Sequence, residues 1–230
     1  MRAGRRTLSW RAAALGAVVV LAGCAGGPPP PDWQSNARSA IDAAVASYLV
    51  GDARGEALHF ARARAEVVRT GRADWVARVE LMRCAARVAS VVFEPCEGFE
   101  ALRADAAPAE RAYADYLAGR MPAPAQRELL PAAQRAVAGG SATLATVQAI
   151  EDPLSRLIAI GVLFQGVQAS PALLDEAVDT ASAQGWRRPL LAWLQVQSLR
   201  AEQAGDAEAA QRLRRRMALV QGPAASAPAR

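Results

Sequence analysis

The chain has 230 residues, with 27 basic and 22 acidic side chains, one histidine and three cysteines, and every basic residue is arginine. Alanine fills 56 positions while aromatics make up 5%, which excludes β-sandwiches and barrels, built from β-branched and aromatic residues. With 52% apolar residues the chain is not disordered overall, and one histidine with three cysteines excludes zinc-finger and multi-histidine metal chemistry.

Arg2, Arg5, Arg6 and Arg11 form a positive start, and an apolar run of 11 residues follows over 12–22. A helix needs about 20 apolar residues to cross a bilayer, so residues 1–23 read as a secretory signal peptide rather than a membrane span. The run ends in Leu21-Ala22-Gly23-Cys24, which resembles the bacterial lipobox. That resemblance implies a diacylglyceryl group on the Cys24 thiol, cleavage before the cysteine and acylation of the new amine. Two or three acyl chains anchor a protein essentially permanently. Residues 24–31 then form a tether, with Gly26 and Gly27 as a joint and the prolines of 28–31 as a stiff spacer of about 12 Å. Residue 25 is Ala rather than Asp. By resemblance to the enterobacterial sorting rule, this implies the outer membrane, with the body facing the periplasm.

From Asp32 onward the apolar positions recur at helical spacing. Ala37, Ile41, Ala44, Val45 and Tyr48 mark a first helix that stops at Gly51, and Asp52 caps a second that runs to Thr70-Gly71. A third is predicted over 73–93. Trp75, Val79, Met82, Ala86, Ala89 and Phe93 form one stripe, and Leu81, Ala85, Val88 and Val92 a second. Its polar face is reduced to Glu80, Arg83 and Arg87, so it is expected at the centre of the body. Residues 94–140 are the least regular part, punctuated by Pro95, Pro108, Pro122, Pro124 and Gly139-Gly140. Asp152-Pro153, Ser170-Pro171 and Arg188-Pro189 then place prolines 18 residues apart in first helical turns, and Gly205-Asp206 opens a last helix. One helical domain is expected over 32–221, followed by a frayed tail over 222–230.

These helices and tight turns repeat with a pair period of about 36 residues, near the 34 of tetratricopeptide repeats. Tyr48-x-x-Gly51-Asp52 followed by Ala57, and Gly205-Asp206 followed by Ala210, resemble the turn and the second-helix small residue of that repeat. Tyr48-Leu49-Val50-Gly51 is echoed by Tyr116-Leu117-Ala118-Gly119. The resemblance implies an all-α, tetratricopeptide-like α-solenoid of antiparallel helix pairs, whose concave groove takes a peptide or partner helix. The first copy has one extra residue between Asp52 and Ala57 and the consensus Trp-Leu-Gly is missing, which leaves an irregular helical bundle as the alternative fold.

With Cys24 lipidated, Cys84 and Cys96 remain as an even pair in an exported protein. They read as a disulfide, with two free buried thiols as the alternative. The bond requires the helix carrying Cys84 to end by about residue 91, so that the chain can fold back. No C-x-x-C is present, which disfavours redox exchange. Glu56-x-x-His59 has the spacing of di-iron bundles, but such a site needs a second pair, and His59 is the only histidine. No metal or cofactor is therefore expected. With no nucleophile elbow or glycine-rich phosphate loop, no catalytic residue is assigned. Glu94, Glu97 and Glu100 are the candidates for two-carboxylate cleavage of peptidoglycan. Arg212, Arg214, Arg215 and Arg216 give the final helix a basic end, suited to the helix dipole or to anionic headgroups.

The expected function is a lipid-anchored, periplasm-facing scaffold or assembly factor for an envelope protein or peptide. The alternatives are a peptidoglycan-active enzyme and a purely structural envelope lipoprotein. Residues 24–211 carry 18 arginines against 22 acids, so the basic balance belongs to the leader and the far end. It does not point to a nucleic-acid partner.

Overall fold

The computed structural model describes residues 31–140 and 142–222. The signal peptide, Cys24, the tether up to residue 30 and the tail from 223 onward lie outside the described residues. Among the described residues every regular element is helical. Three long helices open the body: α1 (Asp32–Val50), α2 (Ala53–Val68) and α3 (Ala73–Val88). Five short ones follow: α4 (Glu97–Glu100), α5 (Pro108–Leu117), α6 (Pro124–Arg127), α7 (Ala132–Ala138) and α8 (Leu144–Gln148). Four long ones close it: α9 (Pro153–Gln165), α10 (Pro171–Ala183), α11 (Arg187–Gln203) and α12 (Ala207–Gln221). No helix among them is long and apolar enough to cross a membrane.

Local chemistry sets most of these boundaries. Gly51 ends α1 in the left-handed region at φ 88, where a glycine carries no Cβ penalty. Asp52 then accepts from the Gly55 N–H at 2.9 Å and caps α2. Asp152 caps α9 by accepting from Ser155 N–H at 2.8 Å, and Asp206 caps α12 by accepting from Ala209 N–H at 2.8 Å. Pro153 and Pro171 open their helices as the sequence predicts. Pro189 instead lies in the third position of α11, because Arg187 opens that helix.

The α1 face of Ala37, Ala40, Ile41 and Ala44 packs on Phe60, Ala63 and Val67 of α2. α3 lies against both helices. At the other end α9, α10, α11 and α12 pack each on the next. The two ends meet, α3 touching α9 and α1 touching α11. The most completely enclosed segment is in α9, where Leu157 to Leu163 are seven buried residues in a row. The central position expected of α3 is thus shared with α9.

α3 is five residues shorter than its apolar pattern predicts. It ends at Val88 because Val91 turns into the left-handed region at φ 60. The Val91 N–H then donates to Val88 O at 3.1 Å and the Val92 N–H to Arg87 O at 3.0 Å. The freed carbonyl of Ala89 accepts from Trp193 Nε1 at 3.0 Å, which satisfies a helix-end group that would otherwise be orphaned. Phe93 swings round to meet Phe164, ring centroids 6.2 Å apart.

α9 ends in the same way. Val167 has φ 57 and the Gln168 N–H donates to Leu163 O at 2.8 Å. A β-branched residue in this region is strained by about 1–2 kcal/mol, and Val167 is 94% exposed, so no packing compensates. Val167→Gly is expected to raise stability by roughly 0.5–1 kcal/mol, the relief exceeding the added freedom of the unfolded chain. Urea midpoints of the two proteins check this. Val91→Gly should gain less, since Val91 packs against the core.

Candidate functional site

The early end of α3 lets the chain fold back along it. Cys96, just before α4, comes to disulfide distance of Cys84 on α3, their Cα atoms 5.9 Å apart across 12 residues of sequence. The returning segment passes close over α3. A Cβ on Gly98 would lie 2.2 Å from Glu80 Oε2, so any larger residue at this crossing would have to displace the Glu80 carboxylate. A bond closing so short a loop is worth about 3 kcal/mol by chain entropy. Reduction, or Cys96→Ala, is expected to lower stability by about 2–3 kcal/mol in urea unfolding.

Between this fold-back, α3 and the end of α5 lies a cleft of about 810 Å³. Phe60, Leu81, Val88 and Leu117 give it an apolar floor. Arg83 and Arg87 stand on one side, and Glu94, Glu97 and Glu100 on the lip. The three residues of the polar face expected for α3, Glu80, Arg83 and Arg87, all meet charges brought by other elements. Glu80 is buried and accepts from Arg64 Nε at 2.9 Å. Arg83 Nε and Arg87 Nη2 both reach Oε1 of the buried Glu56, at 3.0 and 3.4 Å. Glu56 is therefore an ion-pair partner, while His59 beside it is half-buried. No group of three or more His, Cys, Asp or Glu suited to a metal ion occurs among the described residues.

Glu94, Glu97 and Glu100 are exposed. Glu100 accepts from Arg103 Nε at 2.6 Å and Nη2 at 2.7 Å, and this guanidinium holds its carboxyl below the usual range. A glycosidase acid needs its pKa raised, so Glu100 is tuned in the opposite direction. Any proton donor on this lip would be Glu94 or Glu97.

The basic end of α12 is mostly tied down. Arg212 pairs with Glu208, and Arg214 Nη2 lies 2.6 Å from Glu202 Oε1. Arg216 Nη2 donates to Ser182 Oγ at 3.4 Å. Arg215 is exposed and has no ion pair among the described residues. Leu213, Met217 and Val220 pack against the core, so α12 covers the end of the array.

One group of residues escapes the sequence reading. Arg188 Nε donates to the Tyr48 carbonyl at 2.7 Å, and its guanidinium lies 4.3 Å from the Tyr48 ring centroid. Arg87 approaches the same ring at 5.6 Å. Burial pushes the Tyr48 hydroxyl up from its ordinary pKa. The available signal was Arg187-Arg188 in the first turn of α11, where the helix dipole disfavours cations. No family model, no curated protein and no solved structure matches the chain.

Proposed function

We propose that the chain is an outer-membrane lipoprotein, anchored through Cys24 and facing the periplasm, that serves as a scaffold for an envelope protein or peptide held in the 810 Å³ cleft. The observation that carries this reading is Cys84 and Cys96 at disulfide distance on the wall of that cleft. Such a bond persists in oxidising compartments, which agrees with export directed by residues 1–24. The cleft's size is within the range of ligand sites, and its apolar floor between charged walls suits a peptide segment. In this reading neither metal, cofactor nor nucleic acid takes part.

The side-by-side packing of α9 to α12 supports a tetratricopeptide-like solenoid of helix pairs. The contact of α1 with α11 favours the closed helical bundle, with binding in the cleft rather than along an open concave face.

In cells of the source bacterium, the wild-type protein should incorporate radiolabelled palmitate and stay in the membrane pellet after a salt wash. Cys24→Ala should lose the label and collect unprocessed. An unlabelled wild-type protein in the soluble fraction would overturn the anchor.

A further inference from the structure

Four guanidinium groups are linked through Glu56, Tyr48 and Gly51, around the junction of α1 and α2. Arg83 and Arg87 come from α3, and Arg187 and Arg188 from the start of α11, which Trp186 holds against Tyr48, Val45 and Leu49. Arg187 Nη2 lies 3.5 Å from the place a Cβ would take on Gly51, in the turn itself. Two carboxylates belong to the same stretch of chain, Asp52 next to Gly51 and Glu56 in the first turn of α2. Glu56 serves both Arg83 and Arg87 through a single oxygen. Asp52 is engaged in capping α2. Counting four arginines against two acids leaves a net charge of two, and neither Arg187 nor Arg188 has an ion pair among the described residues.

Like charges gathered at a half-buried surface repel one another more strongly than they would in water. The Arg87 side chain is only 23% exposed, so solvent screens it poorly. Arg188 is further fixed by its Tyr48 contacts, which occupy Nε and one face of the guanidinium and leave both Nη groups without a partner among the described residues. A planar, oriented guanidinium with free Nη groups matches the two oxygens of a carboxylate.

Arg83 and Arg87 also line the cleft, whereas Arg187 and Arg188 lie outside its lining; Arg87 joins the two parts, since it approaches the Tyr48 ring that Arg188 covers. Glu94 and Glu97 line the same cleft and have no ion pairs among the described residues. A uniformly anionic bilayer would be repelled there, whereas a single carboxylate set among apolar groups would be steered to the arginine patch.

We infer that the arginine group of Arg83, Arg87, Arg187 and Arg188 is an anion-binding patch beside the cleft, and that it takes a carboxylate from an acidic, partly apolar peptide segment of the partner. This rests on the scaffold reading and adds the chemistry of the partner to it.

The test uses the full mature lipoprotein in detergent on an array of short random-sequence peptides synthesised twice, with acidic residues kept or replaced by their amides. Peptides with an acidic residue among apolar ones should be retained, and their amide twins should bind about ten- to hundredfold more weakly. Arg187→Gln and Arg188→Gln should each erase most of that ratio. Arg187 is exposed, so its variant keeps the fold and the test does not depend on Arg188. Equal binding of acidic and amide peptides would overturn the anion site while leaving the scaffold standing. Absence of any bound peptide would overturn both. Arginine-dependent capture of phosphatidylglycerol vesicles over phosphatidylcholine vesicles, with no peptide preference, would overturn the peptide assignment in favour of a membrane.

Discussion

Trp193→Ala is expected to lower the unfolding free energy by about 3–5 kcal/mol, a large share of the roughly 5–15 kcal/mol that holds a domain of this kind together. Trp193 is fully buried and is the largest such side chain among the described residues. Its ring meets Phe164 edge to face at 5.5 Å, and its Nε1 donates to the carbonyl left free where α3 ends. Alanine there removes the packing between α3, α9 and α11 and leaves a buried acceptor unpaired. Trp193→Phe separates the two effects. It keeps much of the volume and strips the donor, so it should cost about 1–3 kcal/mol. Urea unfolding followed by far-ultraviolet circular dichroism, which does not depend on the indole, measures both. A loss under about 1 kcal/mol for the alanine variant would mean that the ends of the chain do not meet through this residue.

The second large effect is at Gly161, in the middle of α9. Alanine is ordinarily favoured over glycine inside a helix by about 1 kcal/mol. Here the added Cβ would lie 2.4 Å from the Val88 carbonyl oxygen, a backbone atom at the end of α3. The helices must move apart, and overpacking of this sort costs about 1–3 kcal/mol. Gly161→Ala should therefore destabilise by about 2 kcal/mol in spite of the propensity gain, and Gly161→Val by more. Gly166→Ala is the matched control. It ends the same helix at φ −80, and the nearest atom to its Cβ would be 3.6 Å away. Its effect should stay within about 0.5 kcal/mol. Calorimetric melting of the three variants gives the comparison.

Both ends of the body could be read from the sequence because their boundaries are local. Gly51 with Asp52, and the cap-proline pairs before α9 and α10, act within one turn of chain. The stop of α3 could not be read. Ser90-Val91-Val92-Phe93 continues the apolar pattern, and no glycine marks the reversal at Val91. What holds the reversal is tertiary: the Trp193 hydrogen bond, the Phe93–Phe164 contact and the pairing of Cys84 with Cys96. The cysteine pairing is legible from the even count left in an exported chain, and it in turn requires the helix carrying Cys84 to end by about residue 91.

The buried acids were hidden for the same reason. Glu56, Glu80 and Glu110 look like surface residues, yet each is buried against an arginine of another helix: Arg83 and Arg87, Arg64, and Arg78. Such cross-helix pairing favours the planar guanidinium over an ammonium, which gives the all-arginine composition a structural meaning. The arginine group around Tyr48 lies furthest from a sequence reading, since Arg188 meets Tyr48 across 140 residues. Only the closure of α11 onto α1 brings it there.

In the proposed scaffold, a partner in the cell envelope occupies the cleft. The most direct test is photocross-linking in living cells from a photoreactive residue placed at Glu97, on the lip. Arg38, whose side chain is 80% exposed on α1, serves as the control position. A discrete adduct with an envelope protein is expected from position 97 and none from position 38. No adduct at 97, or the same adducts from both positions, would contradict the scaffold reading.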